Sequence, residues 1–396
     1  MFELFYVVGF IMADKFIVPG KIYHGVDSFN KLSELRGQKA LIVTGKGSMR
    51  RSGYIDKAVD LLNTSGFVVE VFDGVEADPS IETVMAGSSI MQRFQPDWII
   101  GLGGCSAIDA AKAMWVFYEY PDTKFEGIIP PFTIKPLRNK ARFVAIPSTS
   151  GTGTEATCVS VITDRKQGTK YPLVSYELCP DIAIVDGKIC QSMPAHVTAN
   201  TGLDALTHAL EAYVTPLADA YTDSLAERAV VDIFRALPVA VTQGNNLVAR
   251  QTMHDASCLA GMSFTNALLG IVHSMAHQVG GMFGVPHGRA NAILLPNVIR
   301  FNATVVADKY IHLARLVGGN SVEDLASAIE DLRSKVGVED SFEAYGISAG
   351  QWQEKVIIMA QHAIEDACTG CNPRKPTVKE LENLLNLCFK GVRLSI

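Results

Sequence analysis

Asp204 and His208, four residues apart in LDALTHALEAY, would share one face of a helix and could grip a single ion. His273 and His287 follow in GIVHSMAHQVGGMFGVPHG, the first in a helical stretch and the second after a glycine-rich turn. One carboxylate and three imidazoles suit a first-row divalent metal, since calcium and magnesium prefer oxygen ligands alone. Four unrelated polar residues on separate helix faces are the plainer alternative. Against it, six of the nine histidines fall between 196 and 287, with an almost uncharged stretch around the last three. His277, one turn after His273, could relay a proton, position a substrate or act as a fifth ligand, and a place beside the ion rather than on it is expected.

Such a set needs rigid helices. After Met193-Pro194 helical periodicity runs through 198–214, 222–241, 246–263, 270–283, 305–317 and 322–336. The first half instead alternates short apolar runs at 39–44, 68–72, 98–102, 143–146 and 182–185 with amphipathic stretches such as 53–65 and 81–94. That alternation predicts a parallel sheet with helices on both faces, and the unbroken apolar runs fit strands buried on both sides. The segment from 120 to 140 carries four prolines and reads as irregular. At 396 residues two domains are expected: an α/β dinucleotide-binding domain over 1–190 and an all-helical metal-binding and catalytic domain over 191–396. A cleft between them is a natural ligand site.

Two loops of the first half could hold a dinucleotide. Gly101-Leu102-Gly103-Gly104-Cys105-Ser106 follows a strand and opens a helix, although Ser106 stands where the full glycine fingerprint has its last glycine. Pro147 to Thr154, PSTSGTGT, follows another strand and offers small hydroxyl groups for close contact with pyrophosphate or ribose. The exit of the 39–44 strand carries Gly45 where NAD sites commonly have a carboxylate, with Lys46, Arg50 and Arg51 nearby. An uncluttered glycine among cations favours the 2′-phosphate of NADP, with NAD the alternative.

Composition narrows the classes. Apolar content of 48% with 19% charged residues describes a globular protein with a large core. A net charge of −6 without a basic block argues against nucleic acid. Eight cysteines without framework spacing suggest reduced thiols and a cytoplasmic location, and the CTGC pair Cys368 and Cys371 lacks the strand context of a redox motif. The apolar start, MFELFYVVGFIM, is too short to span a bilayer; it reads as an edge element or as sequence upstream of a true start at Met12. No membrane partner is expected, and a homodimer is.

The segments PDWIIGLGGCSAIDAAKAMW, AIPSTSGTGTE, TGLDALTHALEAYV, HSMAHQVGGMFGVPHGRANAILLPNVI and CTGCNPR resemble the iron-containing (group III) alcohol dehydrogenases. The resemblance implies the dehydroquinate synthase-like architecture of a Rossmann-like domain followed by an all-α domain. It implies Asp204, His208, His273 and His287 as ligands of Fe(II), with zinc possible, and His277 beside the nicotinamide. Phosphate contacts fall on Gly104, Cys105, Ser106 and the loop of Ser148, Thr149 and Thr152, a ribose-side lysine on Lys170 and the adenosine-side discriminating position on Gly45; Asp78 would face the cofactor, and Lys46, Gly103 and Asp109 complete the expected cofactor-binding residues. Cys105 replaces a glycine usual in the family; at a helix N-terminus its thiol pKa is expected to be lowered. Val159, Phe264 and Cys368 would line an apolar pocket for a short primary aliphatic alcohol such as butanol, or its aldehyde. The implied reaction is hydride transfer between that substrate and NADP(H), with the metal polarising the oxygen. A glycerol- or diol-type dehydrogenase and a dehydroquinate-synthase-like lyase are the alternatives on the same architecture.

Overall fold

A computed structural model describes residues 15–395 of the chain; the apolar start therefore lies outside the described residues. The first half contains β1 (Lys21–His24), β2 (Lys39–Gly45), α1 (Ser48–Arg51), α2 (Tyr54–Thr64), β3 (Val68–Val75), α3 (Ile81–Phe94), β4 (Trp98–Gly103), α4 (Cys105–Glu119), β5 (Arg142–Pro147), β6 (Val159–Asp164), β7 (Thr169–Val174) and β8 (Ile182–Val185). Six of these strands form a wholly parallel sheet in the order β1-β8-β5-β4-β2-β3. Every residue of β4, WIIGLG, is buried, as expected for a central strand covered on both faces. One face packs through Leu41, Ile99, Phe143 and α4, the other through Ile42, Ile100, Val144 and α2.

From β2 the chain crosses through α2 to β3 on one side, then through α3 to β4 on the other. The direction of winding therefore reverses beside β2, and a crevice opens at the carboxyl ends of β2 and β4, where Gly45 and Gly103 stand.

The second half is helical: α5 (Ala195–Val214), α6 (Ala220–Thr242), α7 (Leu247–Ala267), α8 (Ile271–Phe283), α9 (His287–Leu316), α10 (Val322–Lys335), α11 (Phe342–Tyr345), α12 (Ala349–Glu365) and α13 (Val378–Lys390). Their apolar stripes meet in one large core that runs from Ala199 to Phe389. Several starts are set by side-chain caps, such as Asp219 for α6, Ser348 for α12 and Thr377 for α13, each of which also donates its backbone N–H to the side chain of the third helical residue.

Three elements differ from the sequence expectation. The short strand β1 was not foreseen, nor was the β6–β7 antiparallel hairpin, whose exposed and half-buried positions give no continuous apolar run. The helix expected over 305–317 is the tail of α9, which begins at His287 and bends where Val306 leaves helical geometry. Pro296 lies inside α9, buried, and the helix continues through it. This 30-residue helix is long and apolar enough to cross a membrane, yet 78% of its apolar window is buried in the protein, which makes it a core helix.

Candidate active site

Asp204 and His208 project from α5, both buried, and His273 from the first turn of α8, also buried. One ligand atom from each of the three lies within 4.8 Å of the others. His287, the first residue of α9, stands on the more open side, with Nε2 3.5 Å from Asp204 Oδ1 and its ring 5.2 Å from that of His273. The Asn291 amide nitrogen contacts Asp204 Oδ1 at 2.8 Å, His287 Nε2 at 3.2 Å and His273 Nε2 at 3.3 Å. Three lone pairs thus converge on one point that offers only two N–H bonds. Among the described residues, His208 Nδ1 and Asn291 Oδ1 are buried without a hydrogen-bond partner. Convergent acceptors with unmet nitrogen and oxygen atoms fit a divalent cation, and the nitrogen-rich donor set suits iron or zinc.

The protonation states favour ligation. Burial holds His273 well below the usual imidazole pKa, and burial brings His287 to about 4. Both rings are therefore neutral at pH 7, as a ligand must be. Burial works against the Asp204 charge, yet the three surrounding histidines and Asn291 outweigh it and bring the carboxyl below its ordinary range.

Glu211 was not picked out from the sequence, although it lies three residues past His208 on the same helix. Its buried carboxylate receives His273 Nδ1 at 2.5 Å and the Val272 N–H at 2.7 Å. It therefore fixes the His273 tautomer, leaving Nε2 free, and caps the N-terminus of α8, where a negative charge is favourable. Asn372, from the CNPR segment, accepts the neighbouring Ile271 N–H and is tied to Asn302 of α9.

On the α/β side, the turn into α4 depends on Gly103, whose φ of +147° is rarely adopted by side-chain-bearing residues. Gly104 caps α4 without any side chain over the first amides. Thr149 lies against Gly104, and the Ser148 N–H donates to Gly103 O at 2.8 Å, so the two expected loops adjoin. Ser106 and Thr152 are half-buried at the same edge. At Gly153, φ +60°, a side chain would meet Ser257 O at 2.6 Å and Gly261 Cα at 2.7 Å, so this glycine lets the loop dock on α7. Lys46 is exposed past β2, and Arg50 is paired with Asp73 at 2.5 Å. Lys170 and Asp78 meet in an ion pair of 2.6 Å, and the Lys170 charge reaches His287 across the cleft.

Two expectations for this loop are corrected. Burial and the Asp109 carboxylate push the Cys105 thiol well above its ordinary pKa, so the helix terminus does not activate it. Asp109 itself faces inward: its carboxylate receives Thr154 Oγ1 at 2.7 Å and the Val161 N–H at 2.9 Å, which spends it on holding the protein together. Behind it lies Lys112, wholly buried, which donates to the carbonyls of Thr154, Thr157 and Val159 at 2.7, 2.7 and 3.0 Å. A lone lysine in the apolar run AAKAMW was the signal that went unread.

Of the expected pocket residues, Phe264 stacks on His208 with ring centroids 4.5 Å apart. Cys158 N–H donates to Thr265 Oγ1 at 2.8 Å, which brings the start of β6, and so Val159, beside Phe264. Cys368 lies on a short turn whose N–H is held by Asp366, the residue that also contacts His277. The Cys368 and Cys371 thiols are free, and burial raises both pKa values.

Profiles of the iron-containing alcohol dehydrogenases match residues 19–187, and the C-terminal profile of the same family matches 198–389. The chain belongs to the iron-containing alcohol dehydrogenase family. It is thus an oxidoreductase, with the architecture expected from its sequence, a parallel-sheet α/β domain followed by a helical one. It is similar to the NADPH-dependent butanol dehydrogenase of Clostridium saccharobutylicum, 46% identical over 386 residues that cover 96% of this chain and 99% of that protein. The structure of an iron-containing alcohol dehydrogenase from Thermococcus thioreducens superposes with a TM-score of 0.89 at 34% identity, covering 95% of this chain and all (100%) of that one. A 1,3-propanediol oxidoreductase gives the same TM-score of 0.89 at 36% identity, over 96% of this chain and 100% of that one.

Proposed function

We propose that the protein is a metal-dependent alcohol dehydrogenase and aldehyde reductase that uses NADP(H) on short primary aliphatic alcohols such as butanol and their aldehydes. The observation carrying this reading is the convergence of Asp204, His208 and His273, with His287 at the mouth and within electrostatic reach of Lys170 from the α/β half. These four residues would hold Fe(II), or Zn(II) in its place. When bound, the ion supplies Lewis acidity toward an alcohol or carbonyl oxygen, and the nicotinamide supplies the redox chemistry.

The protein's own groups do the rest. Glu211 keeps His273 Nε2 turned toward the ion site. The amides opening α4, with Ser106, Ser148, Thr149 and Thr152, would receive the pyrophosphate, and Lys170 and Asp78 the ribose side. Gly45 leaves room for a 2′-phosphate, and Lys46 lies close by in sequence as a counter-charge. The name of the Clostridium saccharobutylicum relative supports NADP over NAD. His277 is exposed at the cleft and would move the hydroxyl proton. Phe264, Val159 and Cys368 would exclude water around the alkyl chain. Eight unpaired thiols support a reducing, cytoplasmic setting, and a homodimer belongs to the same reading.

A diol is the second reading, favoured by the likeness to the 1,3-propanediol oxidoreductase. It would need a further hydrogen-bonding group that Val159 does not provide. The lyase alternative needs a strongly basic pocket, whereas Lys170 is already paired with Asp78. Mixing the protein with ferrous ion, NADPH and butanal and following nicotinamide absorbance tests the reading. Loss of absorbance is expected; no loss with butanal, propanal or 3-hydroxypropanal would refute it.

A further inference from the structure

His277 does not stand alone. Its Nδ1 lies 2.8 Å from Asp366 Oδ2, and the other oxygen, Oδ1, receives the Cys368 N–H at 2.9 Å. Asp366 ends α12 and caps the turn Ala367–Cys371, so its carboxylate is positioned by backbone at both sides. The His277 ring lies nearly parallel to that of His287, with centroids 5.4 Å apart and planes 14° apart. Its side chain is 43% exposed, against 2% for His273 on the same helix. Burial works against the Asp366 charge, but the hydrogen bonds from His277 and Cys368 bring the carboxyl below its ordinary range. An ionised carboxylate can only accept hydrogen bonds, so Nδ1 must carry the proton in the neutral ring and Nε2 must be the open lone pair.

We propose that Asp366 is a positioning residue that holds His277 in its Nδ1–H form, with Nε2 presented to the hydroxyl proton of the substrate. This inference rests on the dehydrogenase reading above. In alcohol oxidation the hydroxyl proton passes to Nε2 as the carbon gives its hydride to NADP⁺. The imidazolium so formed is stabilised by Asp366 and later releases the proton to water. In aldehyde reduction Nε2–H returns a proton to the oxygen as NADPH gives the hydride to the carbon. The second oxygen of Asp366 ties the Cys368 turn to the same orientation, so the relay and one wall of the pocket are set together.

Asp366→Asn separates this role from a structural one. Asparagine can still accept the Cys368 N–H and cap the turn. Its amide would then face His277 Nδ1 as a donor, forcing Nδ1 to accept and placing the proton on Nε2. In the iron-loaded enzyme, kcat for butanol oxidation with NADP⁺, where Nε2 must accept the proton, should fall by about 100-fold or more, in the range expected for general acid–base catalysis. KM for butanol and for NADP⁺ should stay within about twofold, and Asp366→Glu should recover activity to within about tenfold of the wild type. Combined with His277→Gln, Asp366→Asn should cost nothing further, since both act through one group. Nitrogen-15 correlation spectra of histidine-labelled protein, recorded without turnover, should show His277 as Nδ1–H in the wild type and Nε2–H in Asp366→Asn. A wild-type Nε2–H ring, an Asp366→Asn kcat within about threefold of wild type, or fully additive losses would each overturn the proposal. An inactive wild type would instead count against the dehydrogenase reading, and the tautomer measurement would still decide the role of Asp366.

Discussion

The two halves build their shares of the cleft from different materials. The α/β half offers backbone: a glycine turn, the amides opening α4 and a loop of small residues braced from within by Lys112 and Asp109. The helical half offers side chains on three helices, each held by a neighbouring polar group: His273 by Glu211 of α5, His277 by Asp366 at the end of α12, and His287 by Asn291 one turn along its own helix. A surface of amides keeps its shape as long as its brace is intact. A cluster of donor atoms depends on each tautomer and each rotamer separately. Damage to the first half should therefore appear mainly as lost stability, and damage to the second as lost affinity in a folded protein.

Lys112→Met tests that contrast most severely. It would leave the carbonyls of Thr154, Thr157 and Val159 without their donor, at an expected cost of about 3–5 kcal/mol. Urea unfolding measures it, and a loss below about 1 kcal/mol would show that the loop needs no such brace. His254 lies where α7 meets the loop, with Nδ1 3.0 Å from Ser150 Oγ, and burial lowers its pKa to about 4. Between pH 6.5 and 4 the unfolded chain takes up a proton that the folded His254 refuses, so stability falls as the pH falls. The advantage of wild type over His254→Gln should shrink by roughly 2–3 kcal/mol across that window, and a gap that stays constant would contradict the burial argument.

On the helical side, Glu211→Gln should leave the fold intact but weaken metal binding about 10- to 100-fold, through loss of the carboxylate that orients His273. Titration calorimetry with zinc reads this directly; unchanged affinity would reduce Glu211 to a helix cap. The smallest effect is expected at the edge of the backbone site. A side chain at Gly45 would meet nothing closer than Val75 O at 3.5 Å, so Gly45→Asp should fit. The ratio of turnover with NADPH to turnover with NADH should drop by about tenfold, since a carboxylate repels a 2′-phosphate and holds ribose hydroxyls. An unchanged ratio would refute the account of that loop.

Legibility in the sequence followed the same division. The central strands β2, β4, β5 and β8 were readable because strands buried on both faces leave unbroken apolar runs. The β6–β7 hairpin was not, because its partly exposed faces leave no such run. Asp204, His208, His273 and His287 stood out by residue type and spacing. Their supports did not: Glu211, Asn291 and Asp366 are ordinary polar residues until the packing of α5, α8, α9 and α12 brings them to a ring nitrogen. Asp109 misled for the opposite reason, since a carboxylate just past the glycine turn looks like a ligand contact until Thr154 and Val161 are seen to occupy it.

On the proposed reading, Asp204, His208, His273 and His287 from three helices form one ion site. Calorimetric titration of metal-free protein with zinc at pH 7, for wild type and for Asp204→Ala, tests it most directly. One ion bound per chain in the wild type, and no binding in the variant, is the expected result. A wild type that binds nothing, or a variant that binds as tightly as the wild type, would contradict it.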